Sequence, residues 1–286
     1  MILMLSLEQV LVSAIIGVVQ GISEWLPISS KTQVLVASQY LLGLSFSQAY
    51  TFGLFMEVGT ILAAVIYFRR EVRSLIMVLL GKGGSDQKSL FTYVFIATLA
   101  TFIIGVPIYL FADSLQFVSV GIPMLIIGAV LLADALIIRH SKKMKARNPT
   151  EKTFKDLGLK DYALIGVAQG LAALPGVSRS GITTSTMLLM KVEPDEAFRL
   201  SFLIGIFASL GAFGLTVIVS KSKILSALSA MSIYGVLIAI AVATVISLFL
   251  IDFLIKIAGK SKIVYVTAGL GIIAIAGGVL YLLTGI

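Results

Sequence analysis

Cysteine is absent from the 286 residues, which excludes disulfides and thiolate metal sites. Histidine occurs once, at His140, so no site here is built on two imidazoles. Charge is scarce as well, with Asp, Glu, Lys and Arg together making up 13% of the chain. Apolar residues fill the space: 58% of the chain is hydrophobic and the mean hydropathy is +1.07. No soluble domain needs that much apolar surface, so the expected class is an all-α polytopic membrane protein. The net charge of +8 raises the question of a nucleic-acid partner. The placement of the basic residues, described below, points to membrane topology instead, and no nucleic acid is expected. Met1 to Leu11 lacks the basic head and small-residue cleavage site of a removable signal, so the first apolar segment is expected to stay.

Within the apolar background, Gly17 to Gln33 stands out. It carries Gln20, Ser23, Glu24, Ser29, Ser30, Lys31, Thr32 and Gln33, with Pro27 between two helix-like segments. Proline removes a backbone donor and pushes Leu26 out of the α region. Broken backbone in hydrocarbon survives only when buried in protein or lining a wet cavity, so this stretch is a site candidate. The plainer alternative is a hydrophilic loop between two spans. Against it, a near copy runs from Gly166 to Thr184. Gly17-Val18-Val19-Gln20-Gly21 matches Gly166-Val167-Ala168-Gln169-Gly170, Pro27 matches Pro175 after a one-residue slip, and Ser29-Ser30 then face Ser178-Arg179-Ser180. Two broken segments at corresponding places in two halves mark a midplane binding site in inverted-repeat folds.

A spanning helix needs about 20 apolar residues. The first repeat, 1–138, reads as a helix from Leu7 to Trp25, a short helix from Ser30 to Leu42, and spans at 48–68, 89–110 and 117–138. Ser29 or Ser30 is the expected N-cap of the short helix. The first two pieces are expected to form a re-entrant helical hairpin over 7–42. A basic linker, 139–160, follows. The second repeat, 161–286, offers a hairpin over 162–190 (Tyr162–Leu174 and Arg179–Met190 around Pro175-Gly176) and spans at 197–219, 229–254 and 263–283. One hairpin plus three spans per half makes the second half inverted relative to the first.

That topology puts all but four of the 22 Lys and Arg residues on the linker side. Lys221 and Lys223 fall on the other side, and Lys31 and Arg179 lie in the motifs. The asymmetry makes the linker side cytoplasmic and both chain ends extracytoplasmic in a plasma membrane.

If the two breaks meet, the short helices aim their N-termini at one spot, and free N–H groups there suit an anion. Arg179 adds a planar donor fork that matches phosphate oxygens, unless it snorkels to an interface as a loop charge. Ser29, Ser30, Ser178, Ser180 and Thr183 add hydroxyls, and Lys31 a second cation. Glu24 beside a phosphate needs an intervening cation or a proton-transfer role, either as metal ligand or as general base. Gln20, one turn earlier, shares its face. Gln169 is the counterpart of Gln20 in the second half.

Gln20-x-x-x-Glu24 with Pro27-Ile28-Ser29-Ser30, and Pro175-Gly176-Val177-Ser178-Arg179-Ser180-Gly181-Ile182-Thr183, resemble the two signatures of the undecaprenyl-pyrophosphate phosphatase family, also called the bacitracin-resistance protein family. Gly59-Thr60-Ile61-Leu62-Ala63 and Ala197-Phe198-Arg199-Leu200-Ser201-Phe202 extend the likeness over essentially the whole chain. The resemblance implies a membrane enzyme that removes the terminal phosphate from a C55-type polyprenyl diphosphate. The product is the monophosphate lipid carrier of cell-envelope glycans. It also implies inverted repeats with two re-entrant hairpins, an extracytoplasmic site and a divalent cation, Mg²⁺ or Ca²⁺. By position, Glu24 is the essential acid, Ser30 a candidate nucleophile or phosphate ligand, and Arg179 the phosphate clamp, with Ser178, Ser180 and Thr183 lining the pocket. A homodimer is left open.

The chain departs from the family pattern after the serine pair. Where the family usually reads threonine–glycine–histidine, this chain has Lys31-Thr32-Gln33. The family histidine is held to be catalytic; Gln33 neither attacks nor carries a proton, and His140 sits in the linker. Either Ser30 and Glu24 carry the chemistry, or turnover is weak or lost. The alternative is a polyprenyl-phosphate transporter or flippase that keeps the site with little hydrolysis. Glu57, mid-span, is either an acid or metal ligand of the site or a protonated core glutamate. Asp134 and Asp252 read as interfacial partners of Arg139 and Lys256. Ser201, Gly205 and Ser209 read as a packing stripe, as does Gly277-Gly278.

Overall fold

The computed structural model describes residues 6–112, 121–144, 152–174, 177–258 and 263–284. Apart from one isolated parallel bridge, Lys152 to Val192, its regular structure is helical among those residues. In order these are α1 (Leu7–Ser23), α2 (Ser30–Leu42), α3 (Phe46–Tyr67), α4 (Arg69–Leu79), α5 (Ser85–Ala112), α6 (Gly121–Met144), α7 (Leu159–Gly170), α8 (Arg179–Leu189), α9 (Pro194–Val219), α10 (Lys221–Met231), α11 (Ile233–Ala258) and α12 (Ile263–Thr284). Among the described residues, five helical stretches, within α3, α5, α9, α11 and α12, are long and apolar enough to cross a membrane. Large apolar side chains on them face outward, among them Ile103, Phe249 and Leu280. Such surface is stable in lipid and not in water, and the chain is a multi-pass membrane protein.

Local signals set the ends. Ser6 with Gln9, and Ser45 with Gln48, form capping boxes at α1 and α3. Proline opens α9, where the missing N–H costs nothing, with Asp195 and Glu196 in the first turn. Ser178 caps α8 by accepting from the Gly181 N–H at 3.2 Å.

Several expectations need correcting. α1 stops at Ser23, two residues early, and Glu24 is its C-cap. Ser29 holds the N-cap position of α2, but its side chain makes no capping bond and its φ is +56°. Two helices lie wholly or mostly outside the expected elements, α4 and α10, each 11 residues and too short to span. Part of the linker is not solvated loop: Lys152 pairs with Lys191 and Glu193 through its backbone, Leu157 is buried, and Phe154 stacks on Tyr162. The expected span at 117–138 overlaps α6, which runs on to Met144 and so takes in the start of the stretch read as linker; 117–120 lie outside the described residues. Pro175 and Gly176 also lie outside them, as do the side chains of Asp134 and His140. Asp252 does pair with Lys256, at 2.5 Å.

Packing partners correspond between the halves. α1 lies on α11 and α7 on α5; α2 lies on α3 and α8 on α9; α3 meets α9 at the centre, and α6 meets α12. Lipid offers no hydrophobic push between helices, so close approach has to supply the attraction. The matched glycines provide it. A Cβ on Gly17 would sit 2.5 Å from the Ala239 carbonyl oxygen, and one on Gly166 would sit 2.2 Å from that of Ala97. The copied Gly-x-x-Gln-Gly text is thus first a helix-crossing device. It carries Gln20 and Gln169 into the interior as a consequence.

Candidate active site

The site forms where the two breaks abut. A Cβ on Gly181 would come within 2.9 Å of the Pro27 Cβ, so only glycine lets α8 start against the first break. Ser178 and Ser180 donate to the Leu26 carbonyl at 3.1 and 3.4 Å, and Ser180 also to the Glu24 carbonyl at 3.2 Å. Backbone acceptors released by the Pro27 break are therefore satisfied by hydroxyls of the other half. Trp25 packs edge-on against Phe202 of α9 with centroids 4.8 Å apart, which fixes the break from the other side.

Held this way, Glu24 is the hub. Its Oε2 accepts from the Ser30 hydroxyl at 2.6 Å and from the Gln20 amide at 2.9 Å. Its Oε1 is ion-paired with Arg179. Arg179 Nη1 donates to the Gly205 carbonyl at 2.9 Å and to Ser209, and lies 3.7 Å from Glu57. Ser209 in turn donates to Glu57. Glu24 and Glu57 are only 5% and 3% exposed. Two carboxylates in the interior are tolerable because Arg179 and hydrogen bonds compensate them.

Glu24, Ser29, Ser30, Lys31, Glu57, Val177, Ser178 and Arg179 line one polar pocket of about 10 Å³, room for about one water. Lys31, Glu57 and Arg179 also line a second, mostly apolar cavity of about 70 Å³ that reaches Tyr50, Phe102 and Gln169. Ser30 and Glu24 have the contact of a nucleophile and its base. The guanidinium beside them is the group that would meet anionic oxygens.

Other residues singled out from the sequence lie elsewhere. Ser180 and Thr183 do not line the polar pocket. Thr183 donates to the Arg179 carbonyl at 2.8 Å and is hydrogen-bonded to Ser201. Gln33 donates to the Ile28 carbonyl at 3.1 Å and lines neither cavity. Gln169 donates to Thr101 at 2.9 Å and faces the apolar cavity. Conversely, the stripe on α9 read as packing turns out to hold the site: Gly205 and Ser209 bind Arg179, and Ser201 binds Thr183. Two hydroxyls on one helix face, Ser201 and Ser209, inside an apolar span were the available signal.

These residues fall within the region matched by a family model. The model for bacitracin resistance protein BacA covers residues 13–276. A protein of Saccharolobus islandicus named undecaprenyl-diphosphatase is 51% identical over 259 residues, 90% of this chain and 91% of its own. Proteins of the same name from Saccharolobus solfataricus and Pyrobaculum islandicum are 48% and 40% identical, over 96% and 94% of this chain and 97% and 96% of their own. With the matched region running through both breaks and nearly the whole helical body, the chain belongs to the bacitracin resistance protein BacA family.

Proposed function

We propose that this protein hydrolyses a polyprenyl diphosphate of the undecaprenyl type to the lipid monophosphate and phosphate. The carrying observation is the Ser30–Glu24–Arg179 contact, in which a hydroxyl, a carboxylate and a guanidinium converge in one buried pocket. Support also comes from the relatives named undecaprenyl-diphosphatase.

Arg179 exchanges its carboxylate partners for oxygens of the terminal phosphoryl group. The pocket is too small to admit that group while the Arg179–Glu24 pair stays closed. Ser30 Oγ attacks the terminal phosphorus as Glu24 takes the hydroxyl proton. The bond from phosphorus to the bridging oxygen breaks, and the lipid monophosphate leaves with the electron pair and the proton that Glu24 took from Ser30, which returns Glu24 to its carboxylate form. Water then attacks the Ser30 phosphoester with Glu24 as base, which frees phosphate and restores the hydroxyl.

The donor set fits Mg²⁺ or Ca²⁺. Glu24 and Glu57 supply hard oxygens, and Gln20 Oε1 is buried with no hydrogen-bond partner among the described residues. No group of three acidic, His or Cys side chains is present among them, so substrate oxygens would complete the coordination. When bound, the ion would neutralise phosphate charge.

We place the pocket toward the extracytoplasmic side, on the asymmetry of Lys and Arg described above, with the two halves inverted about the membrane plane. The test is phosphate release from farnesyl and undecaprenyl diphosphates by purified protein with Mg²⁺ or Ca²⁺. Steady release is expected. Saturable lipid-phosphate binding with no release would favour transport over hydrolysis.

A further inference from the structure

We infer that Lys31 is the residue that recognises the second, lipid-proximal phosphate and so selects diphosphates over monophosphates. The inference rests on the phosphatase reading for the identity of the ligand but on its own geometry for the residue.

The two cations of the site are not equivalent. Arg179 is engaged on both sides of its fork, by Glu24 on one nitrogen and by Gly205 and Ser209 on the other. Its carboxylate partner is the one that also holds Ser30, so it belongs to the phosphoryl group under attack. Among the described residues, the Lys31 ammonium donates to a single neutral partner, the Ala172 carbonyl at 3.0 Å. An ammonium has three donors, so two remain for a ligand. Lys31 is half-buried and shares its surroundings with Glu57 and Glu24, yet it is hydrogen-bonded to neither, so a ligand anion can complete its remaining donors.

Position supplies the rest. Lys31 follows Ser30 directly on the first turn of α2, and its side chain reaches across to the 3₁₀ turn Leu171–Ala173 of the other half. There it lines both cavities: the polar one that holds Ser30, Glu24 and Arg179, and the apolar one beyond. A ligand spanning the two meets Ser30 and Glu24 in the polar cavity, the guanidinium and the ammonium where the cavities share their lining, and apolar walls in the other. A polyprenyl diphosphate has the same order of parts: terminal phosphate, second phosphate, hydrocarbon. A monophosphate lipid with its phosphate at Arg179 would bring its first isoprene unit against the ammonium. Its phosphate at Arg179 gains nothing from the ammonium and its chain is misplaced, so the reaction stops after one phosphate is removed.

The test is binding to the full-length protein in detergent, measured with two probes. One is a farnesyl diphosphate analogue whose bridging oxygen is replaced by methylene, which is not hydrolysed; the other is farnesyl monophosphate. Wild-type protein is expected to prefer the first by about tenfold or more, the worth of a charge-assisted bond. Lys31→Met should erase that preference while binding farnesyl monophosphate within about threefold of wild type. Lys31→Gln, as a second neutral variant, should do the same, and Lys31→Arg should keep most of the preference. Equal weakening of both probes in Lys31→Met and Lys31→Gln, the mark of a structural role, overturns the assignment; so does an undiminished preference. Wild-type protein that discriminates as expected yet releases no phosphate from farnesyl diphosphate supports Lys31 and removes the phosphatase reading alone.

Discussion

Arg179 is already neutralised before any substrate arrives, because Glu24 and Glu57 both lie against it. Removing the arginine strands two buried carboxylates, so Arg179→Met should cost about 3–5 kcal/mol of stability, read as a lowered melting temperature in detergent. Adding Glu57→Gln should recover part of the loss, since the two residues share one network and their effects are not additive. Gln33 makes the opposite case. It holds the Ile28 carbonyl and faces neither cavity, so Gln33→Ala should leave kcat within about threefold of wild type, a change of under 1 kcal/mol. Loss of turnover in that variant would return the position to the chemistry. At this scale the sequence was partly legible. Glu24, Ser30 and Arg179 stood out as polar residues in apolar text, and the structure brings them into contact. Ser209 did not stand out, because a serine in a small-residue stripe reads the same whether it packs or binds. Nor could the Gln33 direction be read, since the Ser29 backbone at positive φ decides which way the first turn of α2 faces.

The elements that carry the site are held by close helix crossings rather than by bulk burial. Gly166→Leu would drive a side chain into the Ala97 carbonyl and force α7 off α5; Gly17→Leu would do the same to α1 on α11. Each is expected to cost about 1–3 kcal/mol or more through overpacking, with the two variants behaving alike in thermal unfolding. Wild-type melting in either would show that the crossing tolerates separation. The places of the long helices were readable from apolar runs, but their ends were not: α6 runs six residues past the expected 138, and α11 starts and ends four residues later than 229–254. α4 and α10 were not readable, because 11-residue helices flanking spans leave no spanning-length signal. The ordered part of the linker was also hidden. Its packing depends on partners such as Tyr162 and Val192, which the linker's own polar composition does not reveal.

For the whole molecule, the absence of cysteine becomes useful. Single cysteines can be introduced on a background with no thiol of its own. In the inverted arrangement, Lys82→Cys should be labelled by a membrane-impermeant maleimide only from the cytoplasmic side, and Lys221→Cys only from outside. Labelling of both from one side would contradict the inversion and the placement of the pocket. The packing correspondence between α1 on α11 and α7 on α5 relates the two halves as a pair, and the labelling decides whether that relation is an inversion.

The most direct test of the central claim is the turnover number for phosphate release from farnesyl diphosphate in Glu24→Gln and Ser30→Ala. Ser30→Ala should melt near wild type; Glu24→Gln keeps the local volume but leaves Arg179 with Glu57 as its carboxylate partner, so its melting temperature should fall and its kcat is measured below that temperature. The account predicts that both lose about 10²-fold or more in kcat, the usual worth of a positioned base and its nucleophile. Wild-type release by either variant would contradict it.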